Sequence, residues 1–142
     1  MQALKAVAAE PDLVPTVVTG NLEANALIKL RAFGMDRYVH AALGGYSSDD
    51  AHRPALVALA QRRAGDRYGS TFSAGNSVIV GDSLEDVRTG LEGGARVIAV
   101  ASGTTSAGRL AEAGADVVLP DLTDAARLLQ EIRELTTDGG PR

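Results

Sequence analysis

Three short stretches of this chain carry side chains that could do chemistry. In Val78-Ile79-Val80-Gly81-Asp82-Ser83-Leu84-Glu85-Asp86, an apolar run stops at a glycine and is followed by an aspartate. Ser83 then stands where a helix N-cap belongs, and Asp86 falls in the first turn of an amphipathic segment. In a parallel α/β sheet, ligands sit at the carboxyl ends of strands. Two carboxylates there suit a hard cation such as Mg²⁺, which takes oxygen ligands and keeps several waters. The same two residues would also serve simply to cap and charge a helix N-terminus. Thr19-Gly20-Asn21 ends one apolar run and begins a helix. Its amides and hydroxyl could receive a phosphate oxygen, or form no more than a capped turn. Arg53 opens a helix after the Ser47-Ser48-Asp49-Asp50 loop. A fixed positive charge would stabilise a transferring phosphoryl group, while a solvated arginine is the plain alternative. Asp49 and Asp50 read as loop-solvating residues, and His40 and His52 as surface residues without visible partners.

These groups need a scaffold, and the composition allows one. At 142 residues the chain is long enough for one domain with a core. Apolar residues make up 45% and aromatics 4%, so the core must be built from Ala, Val, Leu and Ile. A net charge of −4 argues against nucleic acid or an anionic membrane surface as a partner. The absence of cysteine excludes a disulfide framework and a thiolate metal site. No apolar run reaches membrane-spanning length, and the N-terminus lacks a signal-peptide layout. A cytoplasmic location is the expectation.

The pattern of apolar residues predicts alternating helices and strands. Helices are expected over 1–9, 22–33, from Arg53 onward, 84–91, 106–113 and 121–135. Gly34 stands at the C-cap of the second, and Pro54 in the tolerated first turn of the third. Strands are expected at Thr16–Val18, Ala41–Leu43, Ser77–Val80, Ala95–Val100 and Asp116–Leu119. Gly90, Gly93 and Gly94 read as helix-end punctuation, and Thr136 onward as a flexible tail. The alternation predicts an α/β fold, a parallel sheet covered by helices. The domain would span 1–135 and the tail 136–142. No P-loop, dinucleotide fingerprint or serine-hydrolase elbow occurs in the sequence.

Taken in order, Val-Val-Thr19-Gly-Asn, Arg53-Pro and Val-Gly-Asp82-Ser-x-x-Asp86 resemble the haloacid dehalogenase-like (HAD) hydrolase superfamily. The look is nearest to its phosphoglycolate-phosphatase-like branch. The segments Lys29-Leu-Arg-Ala-Phe-Gly-Met-Asp-Arg-Tyr38 and Ala113-Gly-Ala-Asp-Val-Val-Leu-Pro-Asp121 add to it. The resemblance implies a Rossmann-like sheet and a Mg²⁺-dependent phosphatase of small phosphorylated metabolites, working through an aspartyl-phosphate. It assigns Thr19 and Arg53 to catalysis and Thr19, Gly20, Asn21 and Arg53 to phosphate. Asp82 would hold Mg²⁺, with Asp86 in support. Arg53 falls where the family usually has lysine, which keeps the charge but changes its geometry.

One part of the family pattern is missing. The nucleophile and its acid/base partner come as Asp-x-Asp at the end of the first strand, and no Asp-x-Asp occurs in these 142 residues. Met1 resembles the start of the helix before the second core strand. The expectation is therefore an N-terminally truncated member, without the central first strand and the helical cap. Such a chain would leave two unpaired strand edges, open to another chain or segment. It would bind Mg²⁺ weakly or not at all and be inactive alone. Two competing readings are a non-catalytic phosphate- and cation-binding module, or pseudoenzyme fragment, and a receiver-like domain with Asp82 as phosphoacceptor. The last lacks the acidic cluster that such domains carry on an early strand.

Overall fold

The computed structural model describes residues 2–137. In chain order the elements are α1 (Gln2–Ala8), α2 (Glu23–Ala32), a 3₁₀ turn (Ala41–Leu43), α3 (Arg53–Tyr68) and β1 (Val78–Gly81). Then follow α4 (Leu84–Gly93), β2 (Arg96–Val100), α5 (Ala107–Glu112), β3 (Val117–Leu119) and α6 (Ala125–Thr137). The strands form one parallel sheet in the order β1-β2-β3. The expected α/β class, a parallel sheet flanked by helices, is what the chain adopts.

The side-chain alternation of β2 builds both halves of the core. Ile98 faces α1 and α6, packing with Ala3, Leu119, Leu128 and Ile132. Val97 and Ala99 face the other way, onto Val87 of α4 and Leu110 of α5. A parallel strand covered on both faces reads as an unbroken apolar run, which Val97–Val100 is. Helix ends follow local chemistry. Gly34, Gly69 and Gly94 take positive φ of 67°, 64° and 90°, each just past a helix, where a Cβ would be strained. Helix α6 runs through Thr137, and the rest of the expected tail, 138–142, lies outside the described residues.

Four expectations need correction. Thr16–Val18 is extended but is no strand. It makes a single parallel bridge, Val18 with Gly45, through Gly45 N–H to Val17 O (2.9 Å) and Thr19 N–H to Gly45 O (3.1 Å). Ala41–Leu43 forms a 3₁₀ turn, because its carbonyls are used locally: Gly44 N–H and the Tyr46 hydroxyl both donate to Ala41 O. Gly90 and Gly93 are packing residues inside α4. A Cβ on Gly93 would meet Pro54 O and Val57, and one on Gly90 would meet Val97. His40 has a partner: its Nε2 lies 3.2 Å from the Tyr68 hydroxyl, with the two rings edge to face.

The outer edge of β1 has no strand beside it among the described residues, and Val80 there is 41% exposed. The extended 16–19 segment is likewise bonded along one side only, to Gly45.

Candidate active site

The site is built outward from the β1–α4 turn. Ser83 caps α4 by a reciprocal capping box: its Oγ accepts from Asp86 N–H (3.2 Å), and Asp86 Oδ2 accepts from Ser83 N–H (3.2 Å). The same Oδ2 also receives Asp82 N–H (3.0 Å) and the Ser83 hydroxyl (2.9 Å). The Asp86 carboxyl lies so tightly over Gly81 that any Cβ at position 81 would collide with it. Its second oxygen, Oδ1, accepts from Arg53 Nη2 at 3.0 Å. Asp86 thus spends one oxygen on the turn and the other on an arginine from α3.

Arg53 brings in the second motif. A Cβ on Gly20 would sit 3.6 Å from Arg53 Cδ, so the Thr19-Gly20-Asn21 loop runs directly beside that side chain. Thr19 Oγ1 accepts from Asn21 N–H (3.1 Å), closing a tight turn. The loop is fastened to the segment leading into α3: Ser47 N–H donates to Asn21 O (3.0 Å), and Glu23 N–H to Ser48 Oγ (3.2 Å). Arg53 commits only Nη2 to Asp86. Its Nε is closed off from solvent with no protein partner, an arrangement that costs about 1–3 kcal/mol.

A second ion pair holds the loop before Arg53. Asp49 accepts both Nη groups of Arg63, at 3.2 and 2.9 Å, and also Tyr46 N–H at 3.1 Å. The Arg63 hydrogen bonds, with the Tyr46 amide, hold the Asp49 carboxyl below the usual carboxylate range. Tyr46 is fully buried, and that burial pushes its phenol up from its ordinary value. Sequence reasoning singled out neither Arg63 nor Tyr46. The two residues Asp49 and Arg63 share no helix face or loop, so no local spacing signals the pair.

The structure therefore brings Thr19, Gly20, Asn21, Arg53, Asp82 and Asp86 to one end of the fold. Their accessible chemistry is uneven. Asp86 is used as cap and counter-ion, whereas Asp82 presents an exposed carboxylate, with Gly103 of the loop after β2 close against it. Among the described residues no group of three or more His, Asp or Glu stands together as a metal site. The donors fit Mg²⁺ only in its sparse mode, in which one or two carboxylates hold the ion with waters and a substrate phosphate. Among the described residues no helix is long and apolar enough to cross a membrane.

Comparison with known proteins agrees with this arrangement. The model of the HAD-hydrolase-like family matches residues 49–125, more than half of the chain, and the match contains both Arg53 and the Asp82–Asp86 turn. The chain belongs to the HAD-hydrolase-like family. Solved structures share the fold at low identity. One is from Bacteroides vulgatus, assigned as a beta-phosphoglucomutase (TM-score 0.75, 20% identity, 95% of this chain and 52% of that one). A predicted phosphatase from Clostridium acetobutylicum matches with TM-score 0.72 and 20% identity, over 91% of this chain and 57% of that one. A HAD family hydrolase from Deinococcus radiodurans R1, with bound phosphate and sodium, gives 0.63 and 20%, over 94% and 57%. The chain spans a little over half the length of each. No curated protein matches it.

Proposed function

We propose that this chain carries the phosphate- and metal-binding portion of a HAD-type phosphomonoesterase, of the phosphoglycolate-phosphatase-like branch, acting on a small phosphorylated metabolite in the cytoplasm. The observation that carries the reading is the convergence of three separate motifs. Arg53, anchored on Asp86, stands beside the Thr19-Gly20-Asn21 loop, so a guanidinium and loop amides are available to one anion. In this reading Thr19, Gly20 and Asn21 receive the phosphoryl oxygens and Arg53 offsets their charge. Asp82 would hold Mg²⁺ together with the phosphate, and Asp86 supports it by fixing the turn. When bound, the ion would supply Lewis-acid polarisation of the phosphoryl oxygens.

The absence of Asp-x-Asp from the sequence gives the proposal its second half: this chain binds phosphate but does not turn over an ester by itself. The free edge of β1 and the one-sided bonding of residues 16–19 support a further strand, from another segment or chain, completing the sheet beside them.

The test combines binding and turnover. Inorganic phosphate is titrated by ³¹P NMR with and without Mg²⁺, and hydrolysis of an aryl phosphate is assayed on the same folded sample. Expected are phosphate binding that falls at least tenfold in Arg53→Ala, and no hydrolysis. Mg²⁺-dependent turnover lost in Asp82→Asn would mean that the chain supplies its own nucleophile. A phosphate-free result would sink the binding assignment. The missing Asp-x-Asp also favours a second reading, a non-catalytic phosphate-binding module. Hydrolysis that stays absent after a strand bearing Asp-x-Asp is supplied would select it.

A further inference from the structure

Beside the Thr19 loop lies an open pocket of about 160 Å³. Val17, Leu30, Phe33 and Met35 give it apolar walls, and Thr19, Asn21 and Lys29 are its polar members. Two of those polar residues belong to the proposed phosphate loop, so pocket and anion site are continuous. Lys29 Nζ approaches Asn21 Oδ1 at 3.5 Å, which places a second cation next to that loop. Phe33 is 69% exposed, an aromatic ring left standing in water at the pocket wall.

We infer that this pocket is the subsite for the organic part of the phosphate ester, and that it takes an apolar group of aryl or short branched-alkyl size. The inference rests on the phosphate reading above and adds the substrate class. A sugar or a second carboxylate would give up water hydrogen bonds against these walls without replacing them. An apolar group instead gains by leaving water, at roughly 25 cal/mol per Å². Lys29 matches the dianion of the phosphate end, so charge and apolarity together set the orientation of the ester. Phe33 is then a specificity-determining residue that touches the leaving group and not the phosphate.

The experiment measures the affinity of inorganic phosphate, methyl phosphate and phenyl phosphate by ³¹P NMR titration at one pH and salt. Phenyl phosphate is expected to bind about tenfold tighter than methyl phosphate. In Phe33→Ser that preference should shrink to about twofold, with inorganic phosphate binding unchanged. Since Phe33 is exposed, the variant keeps its core, and Met35→Gln repeats the test from another wall. Equal affinity for the phenyl and methyl esters, with inorganic phosphate still bound, overturns the subsite and leaves the anion site standing. It would assign the groove to the side chains of an added strand. A phenyl preference untouched by both variants also overturns it. If no phosphate species binds, the anion site itself fails and the subsite with it.

Discussion

Arg53 Nη2 lies 3.0 Å from Asp86 Oδ1, joining the first turn of α3 to the first turn of α4. Both side chains are about a quarter exposed or less, at 26% and 21%. The pair is the hinge between the two parts of the site: Gly20 lies against Arg53, and the Asp82–Ser83 amides lie against Asp86.

Replacing Asp86 therefore has two separable effects. Asp86→Ala removes the capping acceptor and is expected to destabilise the fold by about 2 kcal/mol. Asp86→Asn keeps an acceptor for Ser83 and should cost about half as much. Urea denaturation checks the stabilities. Phosphate titration of the two variants should show weaker binding in both, since either leaves Arg53 without its charged anchor.

Gly81 is required because the Asp86 carboxyl occupies the place of its Cβ. Gly81→Ala should cost about 1–3 kcal/mol by pushing Asp86 off the turn. The double variant Gly81→Ala/Asp86→Ala should then lose clearly less than the sum, because the methyl collides only with the carboxyl that the second change deletes. Additive losses in a denaturant cycle would mean that the glycine matters for some other reason.

The Asp49–Arg63 pair predicts a pH dependence with a definite sign. The folded Asp49 carboxyl lies below its unfolded value, so the unfolded chain binds the proton first. The stabilisation is present in full above the unfolded value and is lost as pH falls from about 4 through the folded value. Thermal melts between pH 6 and 2.5 should show this fall, and Asp49→Asn should flatten it at its upper end. Asp12, held down chiefly by its hydrogen bonds with Arg133, adds to the same acid limb.

Val80 stands on the free edge of β1 and is 41% exposed. Unpaired, apolar strand edges attract other strands. Val80→Lys is expected to reduce any concentration-dependent association seen by sedimentation, while shifting stability by no more than about 0.5 kcal/mol. Association that is the same in both proteins would place the contact elsewhere.

The sequence by itself determined the elements whose signals are local. The Val97–Val100 run specified a strand buried on both faces. Ser83 with Asp86 three residues later specified a capped helix start, and the glycines at 34, 69 and 94 specified where helices stop. It also put the family within reach, because Thr19, Arg53, Asp82 and Asp86 occur in a telling order. Tertiary structure decided what local signals do not carry. Thr16–Val18 has the composition of a strand, yet a strand exists only when neighbours take up its amides and carbonyls, and here Gly45 alone does so. Asp86 was equally a metal ligand or a cap in the sequence. The approach of Arg53 from 33 residues away determined how its second oxygen is used. Gly93 read as punctuation until α3 packed Pro54 and Val57 against it. In each case the deciding partner lies far off in the chain, where no residue spacing can announce it.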